Sequence, residues 1–183
     1  MRTALMVVDM LNDFVDGVLA NPAAGEIVEP IAELAGRARA NRDWVVVYAN
    51  DAHHPDDFEL RVFPPHAMAG TEGARVIDAL EPQPGDEVVP KRAYSAFTGT
   101  SLEECLADND VQRLVLVGQH TDCCVRHTAY DAFIRGIDLV VCPEATTVYE
   151  PGSHEPVPLR QQRALEYLTT FYGARLHSPS AVF

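Results

Sequence analysis

The chain has 183 residues, of which 47% are apolar and 22% are charged, the composition of a globular protein without a disorder signature. This length fits one domain, and we expect residues 1–183 to form a single one. The net charge of −13 argues against nucleic acid or an anionic membrane as a partner, because both recruit clustered Lys and Arg.

Short, β-branched apolar runs alternate with helical stretches along the chain. Strands are predicted at residues 5–8, 44–49, 87–89, 114–117, 139–142 and 174–177, and helices at residues 27–40, 101–107, 124–135 and 158–172. This alternation predicts an α/β fold, a three-layer sandwich with a mostly parallel sheet of about six strands flanked by helices. Residues 51–85 lack strong periodicity and are rich in proline and histidine, which is typical of a functional loop.

Polar residues stand at the carboxyl ends of four predicted strands. They comprise an acid after the first strand, an acid and an imidazole after the second, an amine after the third and two thiols after the fourth: Asp9, Asp51, His53, Lys91, Cys123 and Cys124. In parallel α/β sheets, ligands bind beyond the carboxyl ends of the strands. These residues are therefore predicted to share one functional site.

Cys124 lies at the predicted start of a helix, in the sequence GQHTDCCV of residues 118–125. The helix dipole and the free N–H groups at such a position lower a thiol pKa and can receive an oxyanion. Cys105 and Cys142 are better explained by packing, whereas the residues alone leave the role of Cys123 open. We therefore predict that Cys124 is a nucleophile.

The sequence contains no apparent targeting segment. The apolar run of residues 4–8 is too short for the apolar region of a signal peptide, and no run approaches the roughly 18 apolar residues of a membrane span. The four cysteines form no CxxC pair. We expect a cytoplasmic protein with reduced thiols and no membrane partner.

Four sequence elements carry a resemblance to a known family. They are VVDMLNDFVDG, NDAHHPDDFELRVFPPHAMAGT, VVPKRAYSAFTGTSL and VGQHTDCCVRHTAYDAF, and together they extend over most of the chain. They resemble the isochorismatase-like cysteine hydrolases, and among these the nicotinamidases. The TDxCV pattern of the family falls on residues 121–125, which makes Cys124 the nucleophile position and Cys123 the variable one. The resemblance implies Asp9 as the base and Lys91 as the third member of a catalytic triad.

Asp51, His53 and His66 have the chemistry of a catalytic metal site. Asp51 and His53 are close in sequence, and His66 returns from the far end of the loop. One carboxylate and two imidazoles with open positions suit Zn²⁺, Fe²⁺ or Mn²⁺, of which we expect Zn²⁺. Some nicotinamidases add a glutamate seven residues before the second histidine, and by this resemblance Glu59 is a further metal ligand.

The resemblance implies acyl transfer from an amide. Asp9 takes the proton of Cys124, Lys91 favours the thiolate, and the sulfur attacks the amide carbonyl. The oxyanion is expected to bind the backbone N–H groups of Cys124 and His120, with a cis peptide bond between Gln119 and His120. Ammonia leaves, and water activated at the metal or by Asp9 hydrolyses the thioester.

Nicotinamide is the expected substrate, with its ring between Phe14 and Tyr94 and its ring nitrogen on the metal. The alternatives are other small amides of the ureidoacrylate, maleamate or N-carbamoyl type. Isochorismate hydrolases do not need the cysteine, so Cys124 argues against that reaction. A non-catalytic binding protein would have lost a triad member, and a redox protein using Cys123 with Cys124 would form a strained ring. The family also implies a homo-oligomer.

Two residues beside the nucleophile depart from the small or apolar residues usual in the family. His120 either narrows the pocket or offers a second base, and Cys123 also borders the nucleophile. His54 is expected to lie outside the metal site or behind its ligands. Asp57 stands where some family members carry a histidine ligand. These departures bear on the identity of the substrate more than on the chemistry.

Overall fold

The computed structural model of the protein describes residues 1–152 and 154–183. Its strands are β1 (Arg2–Val8), β2 (Trp44–Asp51), β3 (Glu87–Lys91), β4 (Val111–Gln119), β5 (Asp138–Thr147) and β6 (Arg175–Leu176). They pair in parallel to form one sheet with the order β3-β2-β1-β4-β5-β6. The predicted α/β architecture with about six strands is confirmed.

Helices cover both faces of this sheet. They are α1 (Asn12–Val15), α2 (Ala24–Arg39), α3 (Leu102–Asp108), α4 (Cys124–Ile134) and α5 (Val157–Tyr172). On β1, Leu5 and Val7 belong to the core under α2, whereas Met6 and Val8 belong to the core under α3, α4 and α5. A strand buried on both faces has apolar residues at successive positions, and this pattern allows the strands to be predicted from the sequence. No helix of the described residues is long and apolar enough to cross a membrane.

Several elements extend beyond their predicted bounds. β5 runs to Thr147 rather than ending at Cys142, because its register with β4 shifts after Leu116 and pairing then resumes. α2 begins at Ala24 rather than Ile27, and the short α1 was not predicted. The long segment between β2 and β3 contains three 3-10 turns, at Phe58–Arg61, Glu72–Ala74 and Asp78–Leu80.

The order of the strands reverses between β1 and β4, and in sheets of this kind ligands bind at that point, beyond the carboxyl ends. Asp9 directly follows β1, and Cys124 begins α4 shortly after β4. Asp51 and Lys91 are the last residues of β2 and β3, and they are partners in the register of that pair. The topology therefore brings these four residues to one rim.

Gly118 allows β1 and β4 to approach each other closely beside this rim. Its φ is +100°, and a Cβ atom there would lie 2.2 Å from the carbonyl oxygen of Val8. Val8 and Gly118 are partners in the register of the two strands. Any larger residue would push β4 away from β1, so glycine sets the spacing between the strands that lead to Asp9 and Cys124.

Candidate active site

Lys91 lies at the centre of the residues predicted as a catalytic triad. Its Nζ is 2.8 Å from Oδ2 of Asp9 and 3.6 Å from Sγ of Cys124, and it donates to Oδ1 of Asp51 at 2.5 Å. All four side chains are almost completely buried. Asp9, Asp51 and Cys124 each offer an atom within 4.8 Å of the others. One ammonium group therefore joins two carboxylates and a thiol in a cluster shielded from water.

Asp9 has an unusual backbone conformation that its neighbours hold in place. Its φ is +51°, a left-handed value that Asp tolerates better than most residues. Its N–H donates to the carbonyl oxygen of Ala49 at 3.1 Å, and its own carbonyl accepts from Nε2 of Gln119 at 3.2 Å. Its Oδ1 accepts from the backbone N–H of Asp51 at 2.7 Å. These contacts leave Oδ2 of Asp9 to face Lys91.

Burial and neighbouring charges set the protonation of this cluster. Burial, followed by repulsion from Asp51, raises the pKa of Asp9 to about 7, although Lys91 acts in the opposite direction. Such a carboxyl group can accept and return a proton near neutral pH. Burial alone would lower the pKa of Lys91, but attraction to Asp51 and Asp9 holds it well above its ordinary value. Lys91 is therefore cationic at neutral pH.

The thiol of Cys124 does not have the lowered pKa expected at a helix N-terminus, and that expectation was wrong. The hydrogen bond with Cys123, burial and the nearby Asp9 raise the pKa of Cys124, and Lys91 only partly opposes them. The hydrogen bond with Cys124 and the contact with His127 lower the pKa of Cys123 to about 6. Cys124 therefore needs a base before it can act as a nucleophile, and Asp9 is close enough to serve.

Asp51, His53, Glu59 and His66 converge beside this cluster, with ligand atoms that all lie within 4.8 Å of one another. Nε2 of His53 is 3.6 Å from Oδ2 of Asp51 and 3.7 Å from Oε2 of Glu59. Nε2 of His66 is 3.7 Å from Oε1 of Glu59. Zinc ligands at ordinary bond lengths lie roughly 3.3 Å apart in a tetrahedral site. The observed spacing is close to this value.

Three atoms of this group are buried polar atoms without a hydrogen-bond partner among the described residues. They are Oδ2 of Asp51, Nε2 of His53 and Nε2 of His66. Buried polar atoms in native proteins are rarely left unpaired. A shared divalent cation would satisfy all three at once, so the residues present fit the metal site that the sequence predicts.

The two imidazoles are held so that Nε2 of each ring can bind a metal. Nδ1 of His53 contacts Oδ2 of Asp57 at 3.0 Å, and Nδ1 of His66 donates to the carbonyl oxygen of Pro64 at 2.7 Å. Asp57 in turn accepts from Nε of Arg92 at 2.9 Å, and this contact lowers its pKa well below the usual range. A carboxylate behind a ligating histidine orients the ring and raises its basicity. Asp57 therefore supports the site rather than replacing a ligand.

Backbone contacts close the loop that carries these ligands. Oδ2 of Asp13 accepts from the N–H of Ala67 at 2.7 Å, directly after His66. The N–H of His53 donates to the carbonyl oxygen of Ala67 at 2.9 Å. Gly73 makes room for Asp13, because a Cβ atom there would lie 2.1 Å from Oδ2 of Asp13. Both ends of the loop are thereby joined beside the metal ligands.

Five aromatic rings form a closed chain of contacts around a small cavity, and we call them the aromatic collar: Phe14, His66, Phe63, Tyr149 and His120. In the order Phe14, His66, Phe63, Tyr149, His120 and back to Phe14, the ring centroids are 5.4, 6.0, 6.3, 5.1 and 5.6 Å apart. The cavity is also lined by Leu19, Glu59, Tyr94, Cys123 and Cys124. The cavity is therefore bordered by the predicted nucleophile, by the predicted metal ligands Glu59 and His66 and by both aromatic residues predicted to bind substrate.

His120 lies in the collar next to the predicted oxyanion hole. The peptide bond between Gln119 and His120 is cis, as the family resemblance implies. Burial lowers the pKa of His120 to about 3, so its ring is neutral at physiological pH. A group with so low a pKa is a poor base at neutral pH, which disfavours the expectation that it offers a second base. Cys124 is the first residue of α4, where backbone N–H groups lack partners within the helix.

The structure gathers every predicted site residue at this rim, but the sequence did not reveal all of its neighbours. Phe63 and Tyr149 complete the collar, and Tyr149 follows β5, so the same strand-end rule could have found it. Asp57 stands four residues after His53, and the sequence identifies it only as a position where some family members carry a histidine ligand. Asp13 and Gln119 act through hydrogen bonds to distant backbone groups, for which the sequence carries no local signal.

Comparison with protein families places the chain in a known group. The model of the Isochorismatase domain matches residues 3–169. The chain belongs to the isochorismatase family. It is 37% identical over 169 residues to the uncharacterized isochorismatase family protein PncA of Bacillus subtilis (strain 168), covering 84% of this chain and 91% of that protein. It is 32% identical over 199 residues to the ureidoacrylate amidohydrolase RutB of Methylorubrum extorquens, covering 93% and 77%.

Solved structures give the same grouping. N-carbamoylsarcosine amidase from Thermoplasma acidophilum superposes with a TM-score of 0.88 at 39% identity, over 100% of this chain and 99% of that chain. The nicotinamidase/pyrazinamidase PncA of Bacillus subtilis superposes with a TM-score of 0.86 at 32% identity, over 97% of this chain and 100% of that chain. The pyrazinamidase of Pyrococcus horikoshii in complex with zinc superposes with a TM-score of 0.84 at 28% identity, over 97% of this chain and 99% of that chain. These three structures thus carry the names of amidases with different substrates.

Proposed function

We propose that the protein is a metal-dependent cysteine amidohydrolase that converts nicotinamide to nicotinate and ammonia. The observation that carries this proposal is that one cavity meets Cys124, two metal-site residues and the aromatic collar. A flat heteroaromatic amide can place its ring among the collar rings, its ring nitrogen toward the metal site and its carbonyl carbon at Cys124. The similarity to nicotinamidase and pyrazinamidase structures supports the same reading.

In the first step, Asp9 takes the proton of the Cys124 thiol and the sulfur attacks the amide carbonyl. The raised pKa of Asp9, about 7, suits a group that must accept this proton at neutral pH. Lys91 lies 3.6 Å from Sγ of Cys124, so its positive charge favours the anionic sulfur. Lys91 also offsets the negative charges of Asp9 and Asp51 before the proton moves.

The carbonyl oxygen gains negative charge as the C–S bond forms. The backbone N–H groups of His120 and Cys124 are the donors we assign to this oxyanion. Asp9 returns its proton to the amide nitrogen, so that the C–N bond breaks and ammonia leaves. The product of this half of the reaction is a thioester between Cys124 and the acyl group.

Hydrolysis repeats the same proton transfers with water. Asp9 removes a proton from water, the oxygen attacks the thioester carbon, and the C–S bond breaks to release nicotinic acid, whose carboxyl proton passes to solvent to give nicotinate. The proton held by Asp9 then returns to the Cys124 sulfur, and the site is restored. A divalent ion held by Asp51, His53, Glu59 and His66 would act as a Lewis acid that binds the ring nitrogen and so orients the carbonyl.

A second candidate is a related hydrolase of a ureido or N-carbamoyl amide. The observation that favours it is His120, a cavity-lining residue whose Nε2 is buried without a hydrogen-bond partner among the described residues. The ureidoacrylate and N-carbamoylsarcosine relatives are named for such substrates. A non-catalytic binding protein is disfavoured because Asp9, Lys91 and Cys124 are all present and in contact.

The test is ammonia release from a panel of small amides by the purified protein. We expect turnover of nicotinamide and pyrazinamide, about one divalent transition ion per chain, and loss of nicotinamide turnover after chelation. If only a ureido or carbamoyl amide is hydrolysed, nicotinamide is the wrong substrate, but the proposed reaction through Cys124 still holds. Lack of ammonia release from every amide in the panel would overturn the proposal. A cytoplasmic location and a homo-oligomeric state stay predictions of the sequence.

A further inference from the structure

The aromatic collar contains two imidazoles, and the proposed metal ion would bind only one of them. Nε2 of His66 faces Glu59 in the predicted metal site. Nε2 of His120 is buried, and it has no hydrogen-bond partner within residues 1–152 and 154–183. The ring of His120 instead contacts Phe14 and Tyr149, neither through a polar atom pair.

This arrangement is unfavourable unless another molecule completes it. Removing an imidazole nitrogen from water without giving it a partner is costly, and native proteins usually avoid it. The ring is neutral, because burial holds the pKa of His120 near 3. A phenylalanine would fill the same place among Phe14 and Tyr149 without an unpaired nitrogen. Packing alone therefore does not explain a histidine at this position.

The cavity is the place from which a partner can come. His120 lines it together with Cys124, so a bound substrate lies against both residues. The substrate atom near His66 is assigned to the metal, and the amide is assigned to Cys124 and the oxyanion donors. No substrate atom is assigned to the side chain of His120, whose ring lies on the side of the collar formed with Phe14 and Tyr149.

We propose that the neutral ring of His120 carries its proton on Nε2, and that His120 is a specificity-determining residue whose Nε2–H donates a hydrogen bond to a second acceptor atom of the substrate. The preferred substrates are then heteroaromatic carboxamides with two acceptor atoms, one for the metal and one for His120. This inference rests on the proposed amidohydrolase function and narrows its substrate class. A site built to donate a hydrogen bond disfavours an analogue that lacks the acceptor, because its own polar group is then left unpaired.

Ligand binding to the Cys124→Ala variant tests this inference without requiring hydrolysis. The ligands are nicotinamide and three isosteric amides that keep its ring nitrogen and add a second one at different places on the ring. These are pyrazine-2-carboxamide, pyrimidine-5-carboxamide and pyridazine-4-carboxamide. Calorimetric titration of the metal-loaded protein gives each dissociation constant. We expect at least one of the three to bind about tenfold more tightly than nicotinamide, the effect of one additional buried hydrogen bond.

The same titrations on Cys124→Ala/His120→Phe separate the hydrogen bond from the shape of the pocket. The added phenyl ring keeps an aromatic side chain in the collar but has no donor, so the tenfold preference should disappear while nicotinamide affinity changes little. Cys124→Ala/His154→Phe is the control, because His154 is an exposed histidine outside the collar. We expect that control to keep the preference.

The possible results separate this inference from the proposed function. Equal affinity for all four amides in the His120 protein overturns the role of His120 and leaves the amidohydrolase proposal intact. A preference that survives His120→Phe overturns it as well. Failure of every amide to bind would overturn both proposals together. Since the preference is first measured with His120 in place, the test holds even if the His120→Phe protein fails to fold.

Discussion

The residues of the predicted triad and the loop residues of the predicted metal site are held in place by different contacts. Asp9 and Lys91 stand at the ends of β1 and β3, and Cys124 begins α4 shortly after β4. Strand pairing and the close approach at Gly118 set the distances between them. Moving any of these three side chains would require a change in the sheet itself.

The loop ligands have no such support. His53 and His66 lie on the segment between β2 and β3, where an isolated bridge between His53 and Met68 is part of what holds the chain. Single hydrogen bonds add to it: from the backbone to Asp13, from the His53 ring to Asp57 and from the His66 ring to the carbonyl oxygen of Pro64. A hydrogen bond contributes about 1 kcal/mol net, so each can be removed without unfolding the sheet. The two regions should therefore respond separately to mutation.

We expect Cys124→Ala to give the largest difference between its effect on turnover and its effect on metal binding. Without the sulfur no thioester can form, and turnover should fall by at least about a thousandfold. The bound metal should stay at the wild-type level, because Cys124 lies outside the ligand group. Ammonia release and elemental analysis measure the two effects. Cys123→Ala is the matched control and should keep most of the activity; comparable loss in both variants would contradict the assignment of the nucleophile.

His53→Ala should give the opposite pattern. Loss of one imidazole should empty the metal site, while Cys124 stays reactive toward an alkylating reagent. The wild type should prefer nicotinamide over benzamide by at least about a hundredfold in kcat/KM, because benzamide lacks the ring nitrogen that the metal holds. The variant should lose most of this preference. His54→Ala, at an exposed neighbouring position, should keep it. An unchanged preference after His53→Ala would show that the metal does not orient the substrate.

The difference between strand-end residues and loop ligands also explains what the sequence could and could not predict. Buried parallel strands produce apolar runs, and the rule of strand ends then places Asp9, Asp51 and Lys91 together without knowledge of any contact. The end of β5 was missed because the register shift after Leu116 interrupts its apolar pattern. The contact between Asp13 and Ala67 joins residues far apart in the chain, and neither residue type signals it.

The protonation of Cys124 was harder to predict than its position. A helix N-terminus is visible in the sequence, and its effect on a thiol pKa has a known sign. The opposing effects come from Cys123 as a hydrogen-bond partner, from burial and from Asp9, and their balance depends on the folded geometry. Local sequence therefore identified the residue, whereas its proton affinity depends on tertiary contacts.

Asp57→Asn should produce a smaller change, confined to the metal site. The amide keeps an oxygen near His53 but loses the negative charge that orients the ring and pairs with Arg92. Changes behind a ligating histidine typically cost 10–100-fold in metal affinity, and we expect about tenfold. Competition with a chromophoric chelator measures it. Asp56→Asn removes the same charge from an exposed neighbour and should have little effect. Equal losses in both variants would mean that only the charge of the loop matters.

The smallest effect is expected for Asp13→Ala, which removes a contact of the loop but no ligand. The buried N–H of Ala67 would lose its acceptor, which costs about 1–3 kcal/mol of unfolding free energy. Because Ala67 follows His66, the loss should also weaken metal binding by a few-fold, whereas the reactivity of Cys124 toward alkylation should stay unchanged. Urea unfolding with and without metal measures the first two effects. Asp16→Ala changes an exposed residue next to the same short helix and is the matched control. If Asp13→Ala lowers the alkylation rate of Cys124 as strongly as it lowers metal affinity, then the loop ligands and the strand-end residues do not respond independently to mutation. That result would contradict the difference proposed between the two regions.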